Sequence, residues 1–211
     1  MKTNTWYALK NQSLAIYARR AGFDLAIYDE YDDTIRQELR RRAVTEALHA
    51  IEAACQEQHG IDIAKVKAGL YVISLSNPLS VKYRIRRSQV IYIGRGNIMT
   101  RIRSHFEYKL FDFMLSLSGA SFDFHFALPA LRGTSDYFKH VEHLMLEYFC
   151  TQYGGMDDKR RYPILNKNAG NDKDYQGGTD WWRKPLKASG KRPLWELKPT
   201  DFSDFAPLDD Q

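Results

Sequence analysis

The chain has 211 residues, 44% hydrophobic and 27% charged, with a formal net charge of +5. That is length for one substantial core with extensions at its ends, and too little for two full domains. No apolar run approaches the roughly 18 to 20 residues of a membrane span. The segment from Met1 to Trp6 lacks the apolar stretch of a secretory signal, so a cytoplasmic protein with no membrane partner is expected.

From Trp6 and Tyr7 through Leu14, Ile16, Phe23, Ile27 and Tyr28 the apolar positions follow no single period. Asp32 or Asp33 then caps a long amphipathic helix carrying Ile35, Leu39, Ala43, Ala47, Leu48, Ile51 and Cys55 on one face, stopped by Gly60. Its outer face carries Arg36, Arg40, Arg41 and Arg42, read as a solvated surface. Ala68 to Leu75 is apolar on both faces, as a central strand is, and Val90 to Ile93 is a second such run. Ser76-Asn77-Pro78 and a basic arm lie between them, which predicts a hairpin with an elaborated tip. Gly94 and Gly96 break the second strand, and Asn97 caps a helix through Ile98, Ile102 and Phe106 toward the 110s. Phe122, Phe124 and Phe126 alternate with Asp123 and His125, which predicts a half-buried third strand. Ser135 is placed to cap a further helix from Asp136 to about Tyr153, ended by Gly154-Gly155.

These elements predict an α+β fold, a small antiparallel three-stranded sheet flanked by helices in the order β-β-α-β-α. An N-terminal helical extension covers 1–65, the core 66–170 and a loop-rich tail 171–211. Trp181, Trp182 and Trp195 are expected to pin that tail to the core, and Asp201, Asp204, Asp209 and Asp210 to solubilise its end. Cys55 and Cys150 stand far apart with no CxxC or paired-histidine spacing, so reduced buried thiols are expected, with neither a disulfide framework nor a structural zinc site. Lys82, Arg84, Arg86, Arg87, Arg95, Arg101 and Arg103 fall between Ser80 and Arg103 without one Asp or Glu. Such a concentrated cationic field attracts polyanions through counterion release, and a merely solvated basic face is the plain alternative.

Gly69-Leu70-Tyr71 in the first strand and Tyr92-Ile93-Gly94 in the second, with this element order, resemble the GIY-YIG nuclease family. Arg101, His105 and Phe106 are similar to the family's first-helix pattern, and Asn166, three residues after Pro163, to its closing asparagine. The resemblance spans roughly Val66 to Gly170 and implies a metal-dependent endonuclease that hydrolyses phosphodiester bonds in DNA, with one Mg2+ or Mn2+ ion. The catalytic acid comes from the last helix, where Glu142 lies beside the apolar stripe and Glu147 has the more polar neighbours His143, Cys150 and Thr151. A carboxylate directed inward needs a reason such as a metal, so Glu142 is assigned as metal ligand ahead of Glu147.

In that reading Arg101 places a permanent cation on the phosphate, with Arg103 as its substitute, and His105 lies one turn further along the same face. Tyr71 and Tyr92 supply the hydroxyls that orient or deprotonate the attacking water, Tyr71 being preferred as base. Asn166 positions the phosphate or braces the Glu142 helix. Lys82, Arg84, Arg86, Arg87, Arg95 and Arg103 are the candidate nucleic-acid contacts. Two alternatives stay open, a non-catalytic nucleic-acid-binding module of the same fold and an RNA-directed or structure-specific nuclease.

Overall fold

The computed structural model describes residues 1–117, 119–157, 159–167, 179–187 and 195–198. Its strands are β1 (Trp6–Ser13), β2 (Gly69–Leu75), β3 (Leu79–Lys82), β4 (Arg87–Ser88), β5 (Val90–Gly96), β6 (Ser121–Ala127) and β7 (Trp195–Leu197). Its α-helices are α1 (Leu14–Arg20), α2 (Asp33–His59), α3 (Ile98–His105), α4 (Phe111–Ser116) and α5 (Tyr137–Phe149). The α+β class holds, but the main antiparallel sheet has four strands, ordered β1-β6-β2-β5, and not the three expected. The added strand is β1, which pairs with β6 from Trp6 opposite Ala127 to Ser13 opposite Ser121. Its register shifts between Leu9 and Gln12, and Asn11 sits at a φ of 54°. That bulge breaks the period-two pattern by which a strand is read from sequence.

The hairpin forms as predicted, with β2 antiparallel to β5 and Tyr71 opposite Gly94. Its elaborated tip is a second sheet, in which β3 pairs with β4 and, in parallel, with β7. β2 is buried along its whole length, between β5 on one side and β6 on the other. Strand alternation sorts the main sheet into two faces. Tyr71, Ile73 and Leu75 share one face with Phe126, Phe124 and Phe122, their direct partners on β6. Helices α2 and α3 cover it: His59 contacts the rings of Tyr7 and Phe126, and Phe106 that of Phe122. The opposite face carries Val72, Ser74, His125 and Asp123, and is covered by α5 and by a 3-10 helix at Asp180–Leu186.

The helix ends show which local signals were sufficient. Asp32 Oδ1 accepts a hydrogen bond from Ile35 N at 2.9 Å, and Gly60 ends α2 in the left-handed conformation at a φ of 63°. The arginines of α2 are held by acids: Arg40 pairs with Asp112 at 2.8 Å, and Arg41 and Arg42 share Glu38. Asn97 Oδ1 caps α3 at Thr100 N, 3.2 Å. Helix α3 continues through a π-helical turn, Phe106–Leu110, into α4. The last helix differs from expectation at its start, while its end at Gly154-Gly155 is as expected, reached through a change of helix type. Asp136, not Ser135, holds the N-cap position, its carboxylate accepting from Lys139 Nζ instead of a backbone N–H; the α-helix stops at Phe149 and passes into a π turn, Cys150–Gly154.

Cys55 and Cys150 are free, buried thiols. Trp182 is buried, with its ring against Tyr148, and Trp181 packs on Trp6, so this part of the tail is anchored. The Trp195 side chain and Asp201, Asp204, Asp209 and Asp210 lie outside the described residues. Among the described residues no helix is long and apolar enough to cross a membrane.

Candidate active site at the β5 edge

Gly94 makes room for the site. A Cβ at that position would lie 2.5 Å from the Tyr71 hydroxyl and 2.5 Å from the Tyr92 ring, so only glycine lets the two phenols lie over β5. Their rings stack with centroids 5.8 Å apart and an interplanar angle of 20°. His105, from α3, closes the group. Its Nε2 stands 2.7 Å from the Tyr71 hydroxyl, and its ring centroid 4.1 Å from that of Tyr92. Arg101 lies one turn earlier on the same helix, and its charge acts on both tyrosine hydroxyls. Four of the residues picked from sequence therefore meet on one face of the sheet.

Burial sets the protonation states of this group. It pushes the Tyr71 phenol well above its ordinary value, with Tyr92 adding to the rise and Arg101 opposing it. His105 is pulled down to about 4, by burial first and then by the charges of Arg101 and Lys109. Near neutral pH the pair is thus a neutral phenol bonded to a neutral imidazole.

A stability prediction follows from His105. The unfolded imidazole takes up a proton near its ordinary value of 6.5, whereas the folded one resists until about 4. The unfolded state binds more protons in that window, so stability falls with pH between the two values, by roughly 3 kcal/mol in total. Between pH 7 and pH 4, the melting temperature of His105→Gln is expected to drop less than that of wild type, by roughly 10 °C. Parallel curves, checked by calorimetry, would place the acid sensitivity elsewhere.

Glu142 projects from α5 on the other side of β5. Arg95, the β5 neighbour of Gly94, turns to the sheet face that carries Leu70 and donates from Nε to Glu142 Oε2 at 2.5 Å. Its guanidinium also stands 5.9 Å from the centre of the Phe138 ring, on the same helix. Burial raises the Glu142 carboxyl above its ordinary value, and Arg95, Arg101 and His143 pull it back. Arg101 is therefore the residue whose field reaches both the tyrosine pair and the carboxylate. Glu147 lies elsewhere, 3.1 Å from Arg160 and 3.6 Å from His143, with its side chain over a third exposed.

Asn166 is used up by β5. Its Oδ1 accepts from Ile93 N at 3.0 Å and its Nδ2 donates to Ile93 O at 2.8 Å, while Leu165 N reaches Ile91 O at 3.0 Å. The side-chain amide thus completes the free edge of the strand that holds Tyr92, in place of a neighbouring strand. It braces β5, and no bond joins it to α5.

The basic residues divide. Arg84 is paired with Asp157 at 2.6 Å and Arg87 with Glu196 at 3.4 Å, so acids distant in sequence neutralise half of the arm's arginine and lysine set. Arg86 is exposed and Lys82 half-buried. Arg103 is exposed on another side of α3, beside His49 and Glu52 of α2, away from the tyrosines. Lys109, which sequence reading passed over, stands by the site: Nζ donates to Leu165 O at 3.1 Å, and its charge acts on His105. Its place one turn after His105 was the signal available.

Among the described residues no three or more His, Cys, Asp or Glu side chains cluster to cage a metal. Glu142 alone offers a carboxylate, with Oε2 bonded to Arg95. Such a donor set fits a hard divalent cation that keeps most of its shell as water and substrate phosphate, the habit of magnesium. Comparison of the chain with protein-family models, curated proteins and solved structures finds no match.

Proposed function

We propose that this chain is a metal-dependent endonuclease of the GIY-YIG type that hydrolyses phosphodiester bonds in DNA. The observation that carries the reading is the 2.7 Å contact between the Tyr71 hydroxyl and His105 Nε2, with Tyr92 stacked on it and Arg101 beside both. A neutral imidazole is a proton acceptor, and a buried phenol is too weak an acid to ionise alone. In the proposed reaction the attacking water gives its proton to the Tyr71 oxygen as that hydroxyl passes its own to His105 Nε2. The water oxygen forms the new bond to phosphorus, and the leaving alkoxide takes a proton from solvent.

Tyr92 confines the water beside Tyr71. Arg101 offers its forked donors to the non-bridging phosphate oxygens, where charge accumulates. Arg95 holds the Glu142 carboxylate in place, and Asn166 keeps β5 and hence Tyr92 in register. A divalent cation on Glu142 would supply charge neutralisation at the phosphate.

A second reading, a nucleic-acid-binding module without turnover, draws on the Arg95–Glu142 pair, because a carboxylate already neutralised by a guanidinium needs no metal. Incubating supercoiled plasmid, single-stranded DNA and RNA with the purified chain separates the two. The nuclease reading expects nicked and linear plasmid with magnesium or manganese and none with EDTA. Salt-sensitive binding without a cut under any metal would favour the module, and cleavage of RNA alone would move the substrate.

A further inference from the structure

The reverse face of the sheet carries a feature that the β5-edge chemistry does not use. A cavity of about 260 Å³ lies between β1, β2, β6 and the 3-10 helix at Asp180–Leu186, and a groove of about 460 Å³ adjoins it. The two spaces share Trp6, Lys184 and Lys187. The cavity is close to the small end of ligand pockets, which begin near about 300 Å³.

Its charge is one-sided. Lys10, Lys184 and Lys187 line the cavity with Asp123 as the acid. That carboxylate is already engaged: it takes Lys10 Nζ at 2.6 Å, Asn11 N at 3.0 Å and Ser76 Oγ at 2.6 Å. Lys184 and Lys187 have no acidic partner among the described residues. His125 stands between the cations, feeling the charges of both Lys10 and Lys184, and is held down to about 4, mainly by burial.

Unpaired hydrogen-bond donors collect around the same spaces. Trp6 Nε1, Trp181 Nε1 and Arg183 Nε are buried without a partner among the described residues, as is His125 Nδ1. The first three atoms can only donate. Lys10 Nζ lies 3.4 Å from His125 Nε2, and an ammonium has nothing but donors, so Nε2 accepts and the proton rests on Nδ1. Trp6 and His125 line the cavity and Trp181 and Arg183 the groove, so unsatisfied donors add to the lysines in surroundings that favour an anion. The indoles of Trp6 and Trp181, with ring centres 5.8 Å apart and planes inclined at 40°, add an apolar aromatic wall beside the cations. Cations next to aromatic rings suit a phosphate joined to a planar base, which can lie against one indole face.

We propose that this face binds a nucleoside monophosphate group, its phosphate among Lys10, Lys184 and Lys187 and its base against Trp6 and Trp181. The group has two possible sources, a free nucleotide or the phosphorylated end of a single strand. The site stands whether or not the β5 edge cuts DNA.

Calorimetric titration of the full chain in EDTA tests it, with AMP, adenosine and inorganic phosphate as probes. AMP is expected to bind at least tenfold more tightly than either of its parts. Lys184→Glu with Lys187→Glu, both exposed positions, should weaken AMP at least tenfold with an unchanged circular dichroism spectrum. Trp181→Ala should weaken AMP but not phosphate, and Glu142→Gln should change neither. A tetra-deoxyadenylate carrying a 5′ phosphate then assigns the source: tighter binding than AMP means a strand end, equal or weaker binding a free nucleotide. The proposal is overturned if millimolar AMP does not bind, if the double variant binds it normally, if phosphate matches AMP, or if an oligonucleotide without the 5′ phosphate binds as well as one with it.

Discussion

Glu142→Ala should lower magnesium-dependent plasmid cleavage by at least about a thousandfold, equivalent to roughly 4 kcal/mol of transition-state stabilisation. Alanine also strips Arg95 of its 2.5 Å partner, and a half-buried guanidinium left alone destabilises the fold. Glu142→Gln separates the two effects. Its amide oxygen can still accept from Arg95 Nε while the negative charge is gone, so it should melt within a few degrees of wild type and yet be as inactive as the alanine variant. Binding of a short duplex, followed by fluorescence anisotropy without metal, should survive in both. Full cleavage by Glu142→Gln would remove the metal from this carboxylate, and Glu147, paired with Arg160, would be the next acid to test.

Tyr71→Phe should lower kcat by about 10² to 10⁴ with little change in KM, the range for losing a positioned acid–base group. The phenyl ring keeps the stack on Tyr92, so the loss would report the hydroxyl and not the packing. The contact with His105 supplies an internal control. If Tyr71 and His105 move one proton as a unit, Tyr71→Phe combined with His105→Gln should be no slower than the slower single variant. Independent roles would multiply the two losses. A Tyr71→Phe enzyme within about threefold of wild type would pass the role of base to Tyr92.

Sequence pattern was enough for the elements of the core, because their signals are local. Asp32 and Asn97 cap helices with their own side chains, Gly60 ends one in a conformation glycine adopts freely, and the phenylalanines of β6 alternate as the pleat requires. The fourth strand escaped notice because its bulge puts Lys10 and Asn11 where alternation should continue, and both are satisfied by Asp123, more than a hundred residues away. No local rule contains that partner.

The candidate site divides the same way. Tyr71, Tyr92, Arg101 and His105 could be named together from a family resemblance, and strand pairing and one helical turn, which are short-range geometry, bring them to one place. Which charges remain free was not legible. A stretch with no acid of its own from Ser80 to Arg103 folds against Asp157, Glu196 and Glu142, which bind Arg84, Arg87 and Arg95. Asn166, read as a phosphate or helix contact, spends both ends of its amide on Ile93. By itself the sequence determined where the central strands and the long helices of the core lie and which residues could share a turn. Tertiary structure decided the number of strands, the faces on which the tyrosines and Glu142 lie, and which cations are neutralised, because ion pairs and edge pairing depend on distance in space, which the order of residues does not state.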